Sequence, residues 1–260
     1  MTTHQTSRPA AIILAAGKGT RMGSDMPKVL HPVCGRPMLH WVIDAVREAG
    51  AGPILVVVGH GADLVKASFE SDHDDIRFVL QESQLGTGHA VLVCKDELGD
   101  FDGDAFILAG DGPLIRAETL KTLLQHHAAT KALATLATSI LDDPTGYGRI
   151  VRNDRDRFNA IVEDRNATDE QRSIREIYPS YACFNVPELI SRLEALEPDS
   201  VSGEYYLTTV PGQLQQETDR VEIVTAVPAE DVLSINTPDQ LAAVDSVLQS
   251  RIDRSAEAVS

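Results

Sequence analysis

Cysteine is scarce in this chain of 260 residues, which has only Cys34, Cys94 and Cys183 and no C-x-x-C pair. Their wide spacing excludes a disulfide framework and a cysteine zinc ribbon, and it predicts small buried thiols in a reducing compartment. The eight histidines show no H-E-x-x-H or other zinc spacing. Because no apolar run approaches the roughly 20 residues that a membrane helix needs, we expect a soluble cytoplasmic protein.

Positive charge is also in short supply. The chain has 23 lysines and arginines against 39 aspartates and glutamates, which gives a net charge of −16 and a pI near 4.8. Nucleic acids and anionic membranes repel such a surface, so we expect neither as a partner. The composition leaves the oligomeric state open. An acidic protein that binds an anion must gather its few cations in one place, which makes any cluster of cations informative.

Such a cluster lies in the stretch 14–22, which reads L-A-A-G-K-G-T-R-M and is followed by P-K at 27–28. An apolar run at 10–14 leads into this stretch, and an amphipathic helical pattern begins near Met38. The stretch is therefore a predicted strand-to-helix loop. Such loops lie at the carboxyl ends of parallel strands, where α/β folds bind their ligands.

The residue types in this loop favour phosphate binding over a plain solvated turn. Gly17 and Gly19 let the backbone approach an anion closely, and Lys18, Arg21 and Lys28 supply positive charge. The loop lacks the G-x-x-x-x-G-K-[ST] order of a Walker A motif. It also lacks the third glycine of the dinucleotide fingerprint, which disfavours a dehydrogenase.

Short apolar runs and helical patterns alternate along most of the chain, which predicts parallel strands joined by right-handed crossovers. The fold class that we expect is α/β, with a doubly wound, mostly parallel, Rossmann-like sheet. The predicted strands are 10–14, 54–58, 76–80, 105–108, 134–140, 181–186 and 221–227. The predicted helices are 38–49, 62–69, 88–96, 117–127, 187–196, 207–217 and 238–248.

The segment 142–178 departs from this alternation. It contains glycines, many charged residues and short strand candidates at 149–152 and 159–162, which predict a small antiparallel lobe. No linker or internal repeat divides the chain. We therefore expect one domain at 10–248, with flexible tails at 1–9 and 249–260.

Two further loops that follow predicted strands carry polar groups suited to a ligand. Asp111 follows the strand 105–108, where a carboxylate can hold Mg²⁺ together with substrate phosphates or can cap a turn. The block 81–90 reads Q-E-S-Q-L-G-T-G-H-A. In this block Thr87 is a predicted helix N-cap, and the amide of Gln81 offers both a donor and an acceptor to a ligand.

Together these blocks resemble the sugar-1-phosphate nucleotidyltransferases, and most closely the uridylyltransferase half of the N-acetylglucosamine-1-phosphate uridylyltransferase (GlmU-type) family. The resemblance rests on 14–28, on the block 81–90, on L-A-G-D-G-P-L at 108–114, on P-T-G-Y-G-R-I at 144–150 and on G-E-Y-Y-L-T at 203–208. It runs from about residue 11 to residue 245. The acetyltransferase half of bifunctional members has no counterpart in this stretch.

The resemblance implies an enzyme that joins UTP to a sugar-1-phosphate, such as N-acetylglucosamine-1-phosphate, with Mg²⁺ as the cofactor. It implies that Arg21 and Lys28 are the catalytic cations. The implied nucleotide-binding residues are Leu14, Ala15, Ala16, Gly17, Lys28, Gln81, Gly86 and Thr87. The implied sugar-binding residues are Ala109, Gly110, Gly148, Glu163, Tyr178 and Asn236, and the implied metal ligands are Asp111 and Asn236.

Three positions depart from the family's usual pattern. Ala109 replaces a frequent aromatic residue, Gly112 replaces a larger residue, and Tyr178 replaces an asparagine that contacts the sugar. Two alternatives therefore stay open: a transferase for another nucleotide or another sugar phosphate, and a nucleotide-sensing subunit without catalysis. The block 81–90 favours uridine over the other bases.

Overall fold

The structure of the chain, a computed structural model, describes residues 8–69 and 74–259. The predicted tail at 1–9 falls outside these residues except for its last two. Within the described ranges, no helix combines the length and the apolar character that crossing a membrane requires.

Twelve strands and nine α-helices lie in the described ranges. The strands are β1 Ala10–Ala15, β2 Pro32–Val33, β3 Arg36–Pro37, β4 Ile54–Val58, β5 Ile76–Leu80, β6 Asp104–Ala109, β7 Ala134–Ile140, β8 Gly148–Arg152, β9 Phe158–Val162, β10 Glu176–Tyr178, β11 Tyr181–Asn185 and β12 Val221–Thr225. The helices are α1 Met38–Glu48, α2 Ala62–Ala67, α3 Thr87–Leu92, α4 Lys95–Leu98, α5 Ala117–Thr130, α6 Asp169–Arg172, α7 Val186–Glu194, α8 Val210–Thr218 and α9 Pro238–Val259. Short 3₁₀ helices lie at Thr20–Met22, Lys28–Leu30, Asp164–Asn166, Leu207–Thr209 and Ala229–Asp231.

Ten of the strands form one sheet in the order β5-β4-β1-β6-β11-β7-β10-β8-β9, with β12 also paired to β7. The strands β5, β4, β1 and β6 run parallel, and Ala11 on β1 faces Ile54 on β4 and Phe106 on β6. β11 lies antiparallel between β6 and β7, while β12 pairs parallel with β7. The carboxyl ends of the parallel strands therefore meet at one edge, as the predicted α/β fold requires.

Helices cover both faces of this sheet, which confirms the doubly wound architecture. Along β1, Ala11 and Ile13 belong to the core on one face, and Ala10 and Ile12 belong to the core on the other face. Residues of α1, α2, α5 and α9 pack on the first face, and residues of α3, α4, α7 and α8 pack on the second. Burial on both faces explains why β1 and β4 are continuous apolar runs rather than alternating ones.

The segment 142–178 forms the predicted antiparallel lobe. β9 pairs with β8, β8 pairs with β10, and β10 pairs with the end of β7, all in antiparallel directions. Tyr178 at the end of β10 lies opposite Gly148 on β8. The lobe therefore extends the main sheet beside the carboxyl end of β6.

The closing helix is longer than predicted, because residues beyond the predicted end at 248 continue it. α9 continues from Pro238 to Val259. The apolar positions that set the predicted end stop at Leu248, which is buried. The residues that follow include alanine, glutamate and arginine, which favour a helix without an apolar stripe.

Smaller differences concern element ends. The predicted helix 88–96 is divided into α3 and α4, and α7 begins at Val186, which was predicted to end the preceding strand. A short hairpin of β2 and β3, at 32–37, was not predicted. Thr237 caps the start of α9, because the Gln240 N–H donates to its hydroxyl at 3.3 Å.

Candidate active site

A pocket of about 380 Å³ opens at the carboxyl ends of β1, β5 and β6. Its lining residues include 11 that were predicted to bind substrates or the metal: Leu14, Ala15, Ala16, Gly17, Lys28, Gln81, Gly86, Thr87, Ala109, Asp111 and Tyr178. The parallel strands deliver these loops to one edge of the sheet, and residues that are up to 194 positions apart, from Leu14 to Thr208, surround one cavity. The volume lies within the range of about 300–1,000 Å³ that is usual for small-molecule sites.

One end of the pocket is built around Gln81, whose side chain is 3% exposed. Its Nε2 donates to the Gly86 carbonyl at 3.2 Å and lies 3.0 Å from Nδ1 of His89. The bond to Gly86 and the contact with His89 hold the Gln81 side-chain amide in one orientation. Gln84 donates from Nε2 to the backbone carbonyl of Gln81 at 3.1 Å.

Gly86 shapes the turn beside Gln81. Its φ is +103°, and a Cβ at this position would lie 2.6 Å from the carbonyl oxygen of Tyr205. The Gly88 N–H donates to that same oxygen at 2.7 Å, and the Tyr205 N–H donates to the Leu85 carbonyl at 2.8 Å. The backbone of 85–88 is therefore locked against the segment around Tyr205, and only glycine fits at position 86.

Thr87 does not cap α3, contrary to the prediction. It is the first residue of the helix, and the residue before it, Gly86, has no side chain to form a cap. The Thr87 hydroxyl instead accepts the Leu207 N–H at 3.0 Å. The sequence could not reveal this role, because Leu207 lies 120 positions further along the chain.

The cations lie at the other end of the pocket. The ammonium of Lys28 forms an ion pair with Oδ2 of Asp111 and donates to Oδ1 of Asn236 at 2.7 Å. The exposed Arg21 donates from Nη2 to the same Asn236 oxygen at 2.8 Å. Arg21, Lys28, Asp111 and Asn236 thus form one polar cluster beside the pocket, although they come from three distant segments.

Local structure explains how this cluster is assembled. Pro27, with φ −50° and ψ 132°, leads into the 3₁₀ helix that begins at Lys28. Asp111 follows the end of β6, and its carbonyl accepts the Ile235 N–H at 3.2 Å. This bond fixes Asn236, the next residue, next to Asp111.

The antiparallel lobe and the segment 203–208 form the remaining wall. Tyr178 is 6% exposed and lines the pocket, and burial together with the negative charge of Glu163 raises the pKa of its hydroxyl. Glu163 accepts the Thr208 hydroxyl at 3.1 Å through Oε1. Thr208 itself lines the pocket, so Glu163 lies one side chain behind the wall.

Gly112 and Tyr181 share a space beneath Asp111. A Cβ at position 112 would lie 2.3 Å from the Tyr181 hydroxyl oxygen, and this hydroxyl donates a long bond of 3.5 Å to the Gly112 carbonyl. Burial raises the pKa of Tyr181 well above its usual value. The tyrosine therefore fills the volume that a larger residue at position 112 would occupy.

The family model described as the MobA-like NTP transferase domain matches residues 11–200. The chain belongs to this NTP transferase family.

Curated relatives of this NTP transferase confirm the resemblance that the motifs predicted. The chain is 43% identical over 246 residues to the "Bifunctional protein GlmU" of Brevibacillus brevis, and the match covers 95% of this chain and 53% of that protein. It is 45% identical over 244 residues to the protein of the same name from Trichlorobacter lovleyi, covering 94% of this chain and 53% of that protein. The chain therefore spans about half the length of the curated relatives that it matches.

A solved structure of UDP-glucose pyrophosphorylase complexed with UDP-glucose has the same fold. Its TM-score is 0.77 at 15% sequence identity, and the match covers 94% of this chain and 100% of that chain. At this identity the likeness shows the fold alone.

Five of the predicted site residues of the NTP transferase lie outside the pocket lining: Arg21, Gly110, Gly148, Glu163 and Asn236. Asn236 reaches the site through its contact with Lys28, Arg21 reaches it through its contact with Asn236, and Glu163 reaches it through Thr208. Gly110 and Gly148 have backbone roles. The Gly110 N–H donates to the Leu14 carbonyl at 2.9 Å, and a Cβ on Gly148 would lie 2.8 Å from Ile161.

Other residues line the pocket without having been predicted as ligands. They are Val29, Gln84, Ala90, Ile107, Leu108, Ser180, Glu204, Tyr206, Leu207 and Thr208. The block 203–208 carries a signal, since it is part of the family resemblance, but its sequence does not indicate which of its residues reach the pocket. Ser180 carried none, because its φ of +67° in the turn between β10 and β11 is visible only in the structure.

Proposed function

We propose that this NTP transferase moves a uridylyl group from UTP to a sugar-1-phosphate, with N-acetylglucosamine-1-phosphate as the expected acceptor. The observation that carries the proposal is that the two ends of the pocket differ in chemistry. The side-chain amide of Gln81, bonded to the Gly86 carbonyl, lies at one end, and the cluster of Lys28, Asp111 and Arg21 lies at the other. A nucleoside triphosphate has the matching order of a base followed by phosphates.

We assign the base end of the pocket to Gln81, Gly86 and Thr87, which line it there. Gln81 and the backbone of 86–88 are held rigidly, so they lose little conformational freedom when a base binds. The motif resemblance favours uracil. The structural neighbour is a UDP-glucose pyrophosphorylase that was solved with UDP-glucose, which is consistent with a uridine nucleotide in this fold.

The phosphate end fits a magnesium ion. Mg²⁺ is typically held by one or two protein oxygens together with substrate phosphates, and it does not need a cage of carboxylates. No group of three or more histidine, cysteine, aspartate or glutamate residues suited to a metal occurs in the described residues, so such a cage is not found there. Instead, oxygens of Asp111 and Asn236 converge on one cation, the ammonium of Lys28. This shared contact with one cation supports the proposal that the two oxygens hold a metal ion.

The chemistry that we propose is an in-line displacement at the α-phosphorus of UTP. A phosphate oxygen of the sugar-1-phosphate forms the new P–O bond, and the bond to the leaving pyrophosphate breaks. The nucleophile is already an anion, so the chain needs no general base. When bound at Asp111 and Asn236, Mg²⁺ supplies positive charge that neutralises the phosphates.

The residues of the chain then have two tasks. Lys28 and Arg21 hold two mutually repelling polyanions and stabilise the charge that grows on the phosphate oxygens. The backbone of 14–17 approaches the phosphates. Tyr178 and Thr208 line the side on which the sugar is expected, and Glu163 holds the Thr208 hydroxyl from behind. The tyrosine at position 178 makes this side more apolar than an asparagine would.

A pyrophosphate-release assay tests the proposal. The purified chain is incubated with UTP, CTP, GTP or ATP and with N-acetylglucosamine-1-phosphate or glucose-1-phosphate, in Mg²⁺ or in EDTA. We expect release with UTP and Mg²⁺ only, and a loss of about 10²–10³-fold in kcat for Arg21→Ala. Equal release with CTP would contradict the uridine assignment. Absence of release with every pair, although the protein binds UTP, would contradict catalysis and favour a nucleotide sensor.

A further inference from the structure

Asp231 is a buried carboxylate held between two arginines from distant parts of the chain. Its side chain is 1% exposed. Arg116 donates to it twice, from Nε to Oδ2 at 2.5 Å and from Nη2 to Oδ1 at 2.9 Å, and Arg251 donates from Nη2 to Oδ1. A buried ion triad of this kind is costly to desolvate and is weak evidence for stability on its own. The role of the triad depends on which segments of the chain its three residues bring together.

Both arginines hold the loop that carries Asp111. This loop runs from the end of β6 to Arg116, which directly precedes α5. Arg251 on α9 donates from Nη1 to the Leu114 carbonyl at 2.9 Å. The loop is therefore fixed at Leu114 and again at Arg116, three and five residues beyond Asp111.

The same unit holds Asn236. Asp231 ends the 3₁₀ helix Ala229–Asp231, and four residues later the Ile235 N–H donates to the Asp111 carbonyl at 3.2 Å. Asn236 is the next residue and leads into α9, and Arg251 in a later turn of α9 contacts Asp231. These contacts link both proposed metal ligands, Asp111 and Asn236, to Asp231. Asp231 itself is not part of the pocket lining.

We propose that Asp231 is a positioning residue of this site: by holding Arg116 and Arg251 together, it sets the separation of the Asp111 and Asn236 oxygens. The inference rests on the proposed function, because it concerns the metal ligands named there. It adds that the geometry of the cation site depends on the C-terminal helix, through Arg251, which lies beyond the predicted end of the domain.

The test compares Asp231→Asn, which keeps the shape but removes the charge, with the wild type. We expect kcat for pyrophosphate release to fall about tenfold, and the Mn²⁺ concentration for half-maximal rate to rise about tenfold, as for other residues that orient metal ligands. Mn²⁺ binding to the nucleotide-free protein, measured by electron paramagnetic resonance, should weaken to the same degree. The Kd for UTP in EDTA, measured by calorimetry, should stay unchanged, because Asp231 does not touch the pocket.

Two further variants keep the test decisive if Asp231→Asn folds poorly. Arg251→Lys retains a charge beside Asp231, but one ammonium cannot reproduce the two-sided contact with Asp231 and Leu114, so it should show a smaller loss of Mn²⁺ affinity in the same direction. Arg254→Gln removes an exposed arginine from the next turn of α9 and should behave as the wild type.

The outcomes separate the inference from the proposed function. A wild-type chain that binds neither UTP nor Mn²⁺ would overturn the proposed function, and the inference with it. A wild type that releases pyrophosphate, together with Asp231→Asn and Arg251→Lys variants that are less stable but keep the wild-type kcat and Mn²⁺ affinity, would overturn the inference alone. In that case the triad would serve only to stabilise the fold.

Discussion

At the scale of single residues, the ammonium of Lys28 contacts the same two oxygens, of Asp111 and Asn236, that we propose for the metal. A metal ion bound there must displace the ammonium. We therefore expect Lys28→Met to lower pyrophosphate release by at least about 10²-fold, because a phosphate contact is lost. The same variant should bind Mn²⁺ about tenfold more tightly without nucleotide, because a competing charge-assisted hydrogen bond of about 1.5 kcal/mol is removed.

Electron paramagnetic resonance of free Mn²⁺ measures this affinity directly. Lys18→Met is the matched control, because Lys18 is an exposed lysine of the same loop and lies outside the pocket lining. Its Mn²⁺ affinity should equal that of the wild type. If Lys28→Met gained no affinity over this control, the two oxygens would not be the metal ligands.

The shared space of Gly112 and Tyr181 gives a second prediction at this scale. Gly112→Ala places a Cβ 2.3 Å from the tyrosine oxygen, so we expect it to destabilise the fold by about 1–3 kcal/mol through overpacking. In a Tyr181→Phe background that oxygen is absent, and the same substitution should cost at least about 1 kcal/mol less. Urea unfolding of the four proteins measures the coupling. An equal cost in both backgrounds would contradict this contact.

At the scale of elements, the turn before α3 depends on glycine. Gly86→Ala would place a Cβ 2.6 Å from the Tyr205 carbonyl oxygen, at a φ of +103°. We expect this clash to push the backbone of 85–88 away from the segment 203–208. We expect UTP affinity to fall by at least about tenfold, since the base end of the pocket loses its shape. Calorimetric titration with UTP measures this loss.

Gly146→Ala is the control for backbone strain. Gly146 also has a positive φ, of +85°, but a Cβ there meets nothing within 4 Å. Both variants incur a conformational cost of about 1–3 kcal/mol, and only Gly86→Ala adds the steric clash. Gly146→Ala should therefore be destabilised yet keep its UTP affinity. A similar loss of affinity in both variants would attribute the effect to general instability.

Individual elements show what the sequence can predict. The strands β1 and β4 were predicted correctly because burial on both faces makes them continuous apolar runs. The end of α9 was placed too early because its last three turns lack an apolar stripe and are held in part by the ion pair of Arg251 with Asp231. The role of Thr87 was missed because its partner, the Leu207 N–H, is distant in the chain.

At the scale of the whole molecule, the parallel sheet accounts for most of the predicted site. Loops that follow β1, β5 and β6 must meet at one edge, so the sequence could bring Lys28, Gln81 and Asp111 together without coordinates. Contacts that join three segments, such as Arg116, Asp231 and Arg251, have no local pattern. They follow from how α9 returns across the fold.

The charge of the molecule supports the same account. With a net charge of −16, the chain should repel a triphosphate in general, yet Lys28 and Arg21 lie together at one end of the pocket. The central claim is that this end holds the phosphates and a metal ion at Asp111 and Asn236, while Gln81 and Gly86 hold uracil.

A crystal structure of the chain soaked with UTP and Mn²⁺ tests that claim most directly, because Mn²⁺ is located by its anomalous scattering. The account predicts an anomalous peak within coordination distance of Asp111 and Asn236, phosphates against Lys28, and the uracil beside Gln81. An anomalous peak remote from Asp111, or a nucleotide bound with its base among Arg21 and Lys28, would contradict it.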